Sequence, residues 1–157
     1  MQKRIIGDSQ PVPVLLTTEW LNLETLAELE ISSEHADYPI EAALLPGFSH
    51  GWRAGESGKQ TIRLLFKQAQ PIHGIELDFL ESAIGRTQEY DLRISEDNGK
   101  SFVEIVRQQW NFNPQGSTTE SERHIVNFPD TNIIELNITP DINDPSVIAS
   151  LEKLRVF

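Results

Sequence analysis

The chain contains no cysteine among its 157 residues, which excludes a disulfide scaffold, a thiolate zinc site and a cysteine nucleophile. Basic residues are scarce. Thirteen Lys and Arg stand against 24 Asp and Glu, for a formal net charge of −11. A field of that sign repels phosphate backbones and anionic membranes unless a local basic patch overrides it. The densest basic groups are Lys3-Arg4 and the scattered Arg86, Arg93 and Arg107, so neither a nucleic acid nor a membrane is expected as a partner. Long apolar runs are also missing: Ile5-Ile6 is followed at once by Gly7-Asp8. That leaves no apolar stretch for a secretory leader and nothing long enough to span a bilayer, and the expected location is cytoplasmic.

Catalytic spacing is absent as well. His35, His50, His73 and His124 show neither HxH nor HxxxH spacing, and no G-x-S-x-G turn presents a nucleophile. Gly55-Glu56-Ser57-Gly58-Lys59 fails as a phosphate loop, because Arg53 stands where the first glycine belongs and Gln60 where Ser or Thr would meet magnesium. No enzymatic activity and no cofactor is expected.

What the chain does have is alternation. Tyr90, Leu92 and Ile94 alternate with Asp91, Arg93 and Ser95, the period of a strand with one buried face. Glu96-Asp97-Asn98-Gly99 supplies turn residues, and the chain resumes as a strand from Phe102 to Val106. Ser95 to Phe102 also fits the Asp-box pattern, in which the Asp and the Gly shape a hairpin turn. Further strands are expected at 27–31, 61–66, 75–79, 126–128, 134–138 and 151–156. Helical signals are confined to Trp20-Leu23-Leu26 and to one turn over Ile40–Leu45. Residues 1–18, broken by Pro11 and Pro13, read as a loose arm ahead of one domain over 19–157. Eight short strands separated by turn residues predict an all-β sandwich or barrel.

Four stretches in order resemble the discoidin, or coagulation factor 5/8 type C, family: Gly51-Trp52-Arg53-Ala54; Pro71 to Leu77; Tyr90 to Gly99; and Ala149 to Val156. The resemblance covers about residues 27–157. It implies an eight-stranded, galactose-binding-like jelly roll that binds a glycan, phospholipid head group or protein through loops at one end of the sandwich. It also implies that Trp52 is a core residue. Many sugar-binding relatives hold a structural calcium ahead of that Trp, but Pro46 stands at the family's acidic position and only Glu152 matches a ligand. Calcium is therefore not expected, with Glu152 the remaining candidate.

A carbohydrate ligand is the favoured class. Stacking against a pyranose needs an aromatic ring beside hydrogen-bonding groups, and Trp110-Asn111-Phe112-Asn113-Pro114 offers that combination on a polar segment. Trp110, Phe112 and Asn113 are the candidate binding residues, with Arg86 as a donor to a hydroxyl or carboxylate. The alternative is a protein-interaction role. Trp52 to Ile62 also resembles the N-terminal domain of the eukaryotic DNA single-strand-break-repair scaffold, a jelly roll that works mainly through a protein partner.

Overall fold

The computed structural model describes residues 20–157, so the arm expected over 1–18 lies outside the described residues. Asn22 caps a single helical turn, α1 (Leu23–Leu26), its side-chain oxygen accepting the Glu24 N–H at 3.1 Å. Strand β1 (Ala27–Ile31) follows directly. The next loop carries one more helical turn, α2 (Glu41–Leu44), held down by its buried Ala42, Ala43 and Leu44. The rest of the chain is strand and turn: β2 (Trp52–Ser57), β3 (Gln60–Leu80), β4 (Arg86–Ser95), β5 (Val103–Phe112), β6 (Thr119–Thr139), β7 (Ile148–Leu151) and β8 (Lys153–Val156).

The eight strands among the described residues agree in number with the expectation, but the divisions do not. Segments 61–66 and 75–79 are two halves of β3, and 126–128 and 134–138 both lie in β6. These two strands pair antiparallel, and their ladder slips between Leu65 and Gly74. Pro71 and Pro129, which have no N–H to give a ladder, sit in the slipped stretch. The irregular corner lets one long hairpin serve two layers.

In the first layer the order is β1-β3-β6-β4-β5. In the second, the end of β3 pairs with β8 from Ile75↔Val156 to Asp78↔Lys153, and with the start of β6. Strands β2 and β7 form a separate ribbon through Trp52↔Leu151. The layers close on alternating residues such as Leu64, Leu77, Leu92 and Leu136, all buried, and each contributes about 1.5–3 kcal/mol on burial. Phe79 of one layer meets Tyr90 of the other at 5.3 Å between ring centroids. The architecture is the expected all-β jelly-roll sandwich.

Trp52 lies in this core at 1% exposure, its indole N–H donating to the Ser33 carbonyl at 3.1 Å. The β4–β5 turn is built as its residues suggest. Asn98 and Gly99 take φ of 59° and 89°, and Asp97 accepts from the Ser101 N–H and from the Ser95 and Ser101 hydroxyls. Those bonds hold its carboxyl down at about 2. Asp97 thus shapes a turn.

Candidate functional site

The loop between β1 and β2 folds back along β2 and is tied to it at both strands of a small bridge. His35 N–H donates to the Arg53 carbonyl at 2.9 Å, Arg53 N–H donates to the Tyr38 carbonyl at 3.2 Å, and Tyr38 N–H donates to the His35 carbonyl at 2.9 Å. Glu34 braces the same loop by accepting the Ile40 N–H at 2.9 Å. The result is a fixed aromatic group. The Tyr38 ring centroid lies 4.7 Å from that of His50 and 5.4 Å from that of His35. The Arg53 guanidinium carbon sits 4.5 Å over the Tyr38 ring.

Facing this group is the 81–85 loop. Glu81 organises it, accepting the Ala83 and Ile84 N–H groups at 3.0 and 3.3 Å on one oxygen and Arg86 Nε at 2.7 Å on the other. Burial alone would raise the Glu81 carboxyl, but the Arg86 bond and the backbone donors outweigh it and hold the group below its ordinary value. Between the two loops lies a cleft of about 170 Å³, with Tyr38 and Arg53 on one wall, Glu81 and Ser82 on the other, and Ser150 and Glu152 from the β7 side. It is smaller than the ~300–1,000 Å³ pockets that enclose drug-sized ligands. A guanidinium, a phenol, a hydroxyl and a carboxylate around so small a space suit a single ring bearing several hydroxyls.

The model of the F5/8 type C domain family matches residues 28–152. The chain belongs to that family. No curated protein matches the sequence. Among solved structures it is similar to CBM32-3 from a family 31 glycoside hydrolase of Clostridium perfringens, with 17% identity and a TM-score of 0.63 over 90% of this chain and 96% of that one. It is also similar to a second Clostridium perfringens module, CpGH89CBM32-5, solved in complex with GalNAc-β-1,3-galactose. That pair has 20% identity and a TM-score of 0.58, over 83% and 94% of the two chains. A third is chitosan-binding module 1 of a chitosanase/glucanase from Paenibacillus sp. IK-5, with 18% identity and a TM-score of 0.58 over 87% and 98%. At these identities the likeness establishes the shared jelly roll.

Of the candidate binding and metal residues read from the sequence, the F5/8 type C domain brings only Glu152 to the cleft. Among the described residues, no three His, Asp or Glu side chains gather as a metal site around it or elsewhere. Arg86 and Phe112 do come together, but inside the sandwich, while Trp110 is half-buried against the core two residues before Phe112. Phe112 is 3% exposed with the Arg86 guanidinium carbon 4.6 Å over its ring, and this corrects the expectation of an exposed stacking shelf. The cause is strand phase. The β4–β5 ladder slips between Leu92↔Val106 and Arg93↔Glu104, leaving Ile105 extra, and from there Val106, Gln108, Trp110 and Phe112 turn inward while Arg107, Gln109 and Asn111 face out. Arg86 is likewise buried, donating to Glu81, to Gln88 Oε1 at 3.0 Å and to the Pro140 carbonyl at 2.8 Å. Asn113 is exposed, and its side-chain oxygen accepts the Gln115 N–H at 2.9 Å, closing the loop on itself.

Tyr38 and Arg53 were not picked out from sequence. The available signal was local: one of only two tyrosines lies in the histidine- and acid-rich stretch His35-Ala36-Asp37-Tyr38.

Proposed function

We propose that this F5/8 type C domain is a non-catalytic carbohydrate-binding module and that the Tyr38–Arg53 cleft receives one sugar ring of a glycan. The observation that carries the reading is Arg53. It is exposed, it is held over the Tyr38 ring, and among the described residues it has no carboxylate partner, in a chain with 24 acids. Its guanidinium lines the cleft and offers a planar fork of donors there. Ser150 and Glu152 supply acceptors opposite, and the half-buried Tyr38 supplies both an apolar edge and a phenol. The saccharide ligands named for the structurally similar modules support the same class. The experiment is a glycan array with and without calcium, followed by calorimetry on the best ligand. Tyr38→Ala and Arg53→Ala should each weaken binding roughly tenfold to a hundredfold while circular dichroism stays strand-dominated. Binding that both variants leave unchanged would place the site elsewhere.

A further inference from the structure

Strand β1 forms one edge of the five-stranded layer, and among the described residues it pairs with β3 alone. Every second N–H and C=O along Ala27–Ile31 therefore faces away from the sheet. Beside this edge runs a groove of about 360 Å³ between β1, α1 and α2. Its floor is apolar, with Leu23 and Leu44 buried and Leu45 half-buried. Leu29 opposes the buried Leu64 across the ladder and still stands 36% exposed, because it sits on the edge strand where the inner face of the layer opens to solvent. The polar rim has one sign. Glu24, Glu28 and Glu41 are all exposed, and none of the three pairs with a lysine or arginine among the described residues.

We propose that β1 takes an added strand from a partner protein, a basic segment in which lysine or arginine alternates with an apolar residue. Strand addition satisfies the outward backbone groups. The period of two lays the partner's apolar residues on the Leu29 face, over the groove floor. Its basic residues fall on the Glu28 face, with Glu24 and Glu41 attracting the same charge at the end of the strand. A second copy of this chain fits badly. Antiparallel pairing of β1 with itself would bring Glu28 and Glu30 of one copy against those of the other, in a chain already at −11. The surface lies on different residues from the cleft, so its occupancy does not depend on glycan binding.

The probe is a labelled, alternating lysine–valine peptide of about ten residues, long enough to span the strand, added to the full chain and followed by fluorescence anisotropy. Saturable binding is expected. It should weaken about tenfold or more in Glu24→Lys/Glu28→Lys/Glu41→Lys. It should hardly change in Glu56→Lys/Glu96→Lys/Glu104→Lys, which alters net charge equally at exposed positions away from the groove. The Glu→Gln version of the groove triple repeats the test should the Lys version unfold. Peptide binding should also slow amide hydrogen exchange within Ala27–Ile31, a change that charge attraction alone does not produce. The proposal is overturned if no binding is seen, if both triples weaken binding alike, or if a peptide with the lysines and valines in two separate blocks binds as well. It is equally overturned if the β1 amides exchange unchanged, if the peptide binds only after residues 1–19 are removed, or if the protein sediments as a dimer that Leu29→Asp dissolves.

Discussion

Arg86 Nε and Glu81 Oε1 lie 2.7 Å apart with the Arg86 side chain wholly out of solvent, so one ion pair joins the rim of the cleft to the interior of the sandwich. Glu81 is also the residue that holds the Ala83 and Ile84 N–H groups. Replacing it leaves a buried guanidinium without its counter-charge, at a cost of about 3–5 kcal/mol. Glu81→Gln should lower the urea midpoint accordingly, and glycan affinity should fall with it because the same change loosens the rim. Arg86→Met combined with Glu81→Leu should be more stable than Glu81→Leu alone, since the double change removes both charges. Equal stability of the two would show that the unpaired Arg86 guanidinium costs nothing where it lies.

Phe112 packs under Arg86 at 3% exposure, so its loss is a core deletion. Phe112→Ala should destabilise by about 3–5 kcal/mol, read from thermal or urea unfolding. A variant that unfolds like the wild type and has lost only sugar affinity would return Phe112 to the binding surface.

How far these roles could be read in advance depends on the local pattern. The Tyr90–Val106 hairpin was legible because alternation, Asn98-Gly99 and the return strand agree with one another. The β3–β6 corner was not. Prolines and exposed polar residues around 67–71 and 129–130 read as breaks between strands, whereas antiparallel pairing carried the chain through them with slipped register. Phe112 was misplaced for a related reason. Asn111 and Asn113 made the segment look like a polar loop, but Asn111 is the outward phase of a strand that ends on the inward Phe112, and only from Asn113 does the loop begin. The cleft was illegible because it joins residues about 100 positions apart, and no periodicity links Tyr38 and Arg53 to Ser150.

Gly51 marks the closest approach of β2 to the end of β7. A Cβ there would lie 2.2 Å from the Leu151 carbonyl oxygen and 2.5 Å from Glu152 Cα, both backbone atoms that no rotamer change can clear. Gly51→Ala should cost about 1–3 kcal/mol or more by forcing the ribbon apart, and it should distort the cleft that Glu152 lines. Gly116→Ala is the control, since nothing lies within 4 Å of the added carbon. It should be neutral or slightly stabilising, by at most about 1 kcal/mol. Equal losses at both positions would deny the β2–β7 contact its role.

Glu120 gives the fold a pH dependence. It is 1% exposed and accepts the Gln88 and Gln108 side-chain N–H groups at 3.3 Å each, while Gln108 also donates to Glu122. Burial, and then the Glu122 charge, push its carboxyl up to about 7. The folded state therefore keeps a proton that the unfolded chain releases near 4.5. Its contribution to stability is full below that value and is lost as pH rises through about 7. His124 works in the opposite sense. Burial lowers its imidazole although Glu122 pulls the other way, so its contribution is present above its ordinary value of 6.5 and lost on acidification. Tyr90, which bonds His124 Nε2 at 2.8 Å, is raised by burial and by Glu120 and Glu122, and stays neutral throughout. Arg86 faces the cluster from β4 and moderates the rise at Glu120. Comparison with Glu120→Gln isolates the one group, because the amide keeps an acceptor for the glutamines and does not titrate. Between pH 5 and 8, urea unfolding at constant ionic strength should show the wild type losing on the order of 2–3 kcal/mol relative to the variant. Parallel stability curves for the two proteins would mean that Glu120 is already ionised in the folded state and that the cluster holds its charge at no cost.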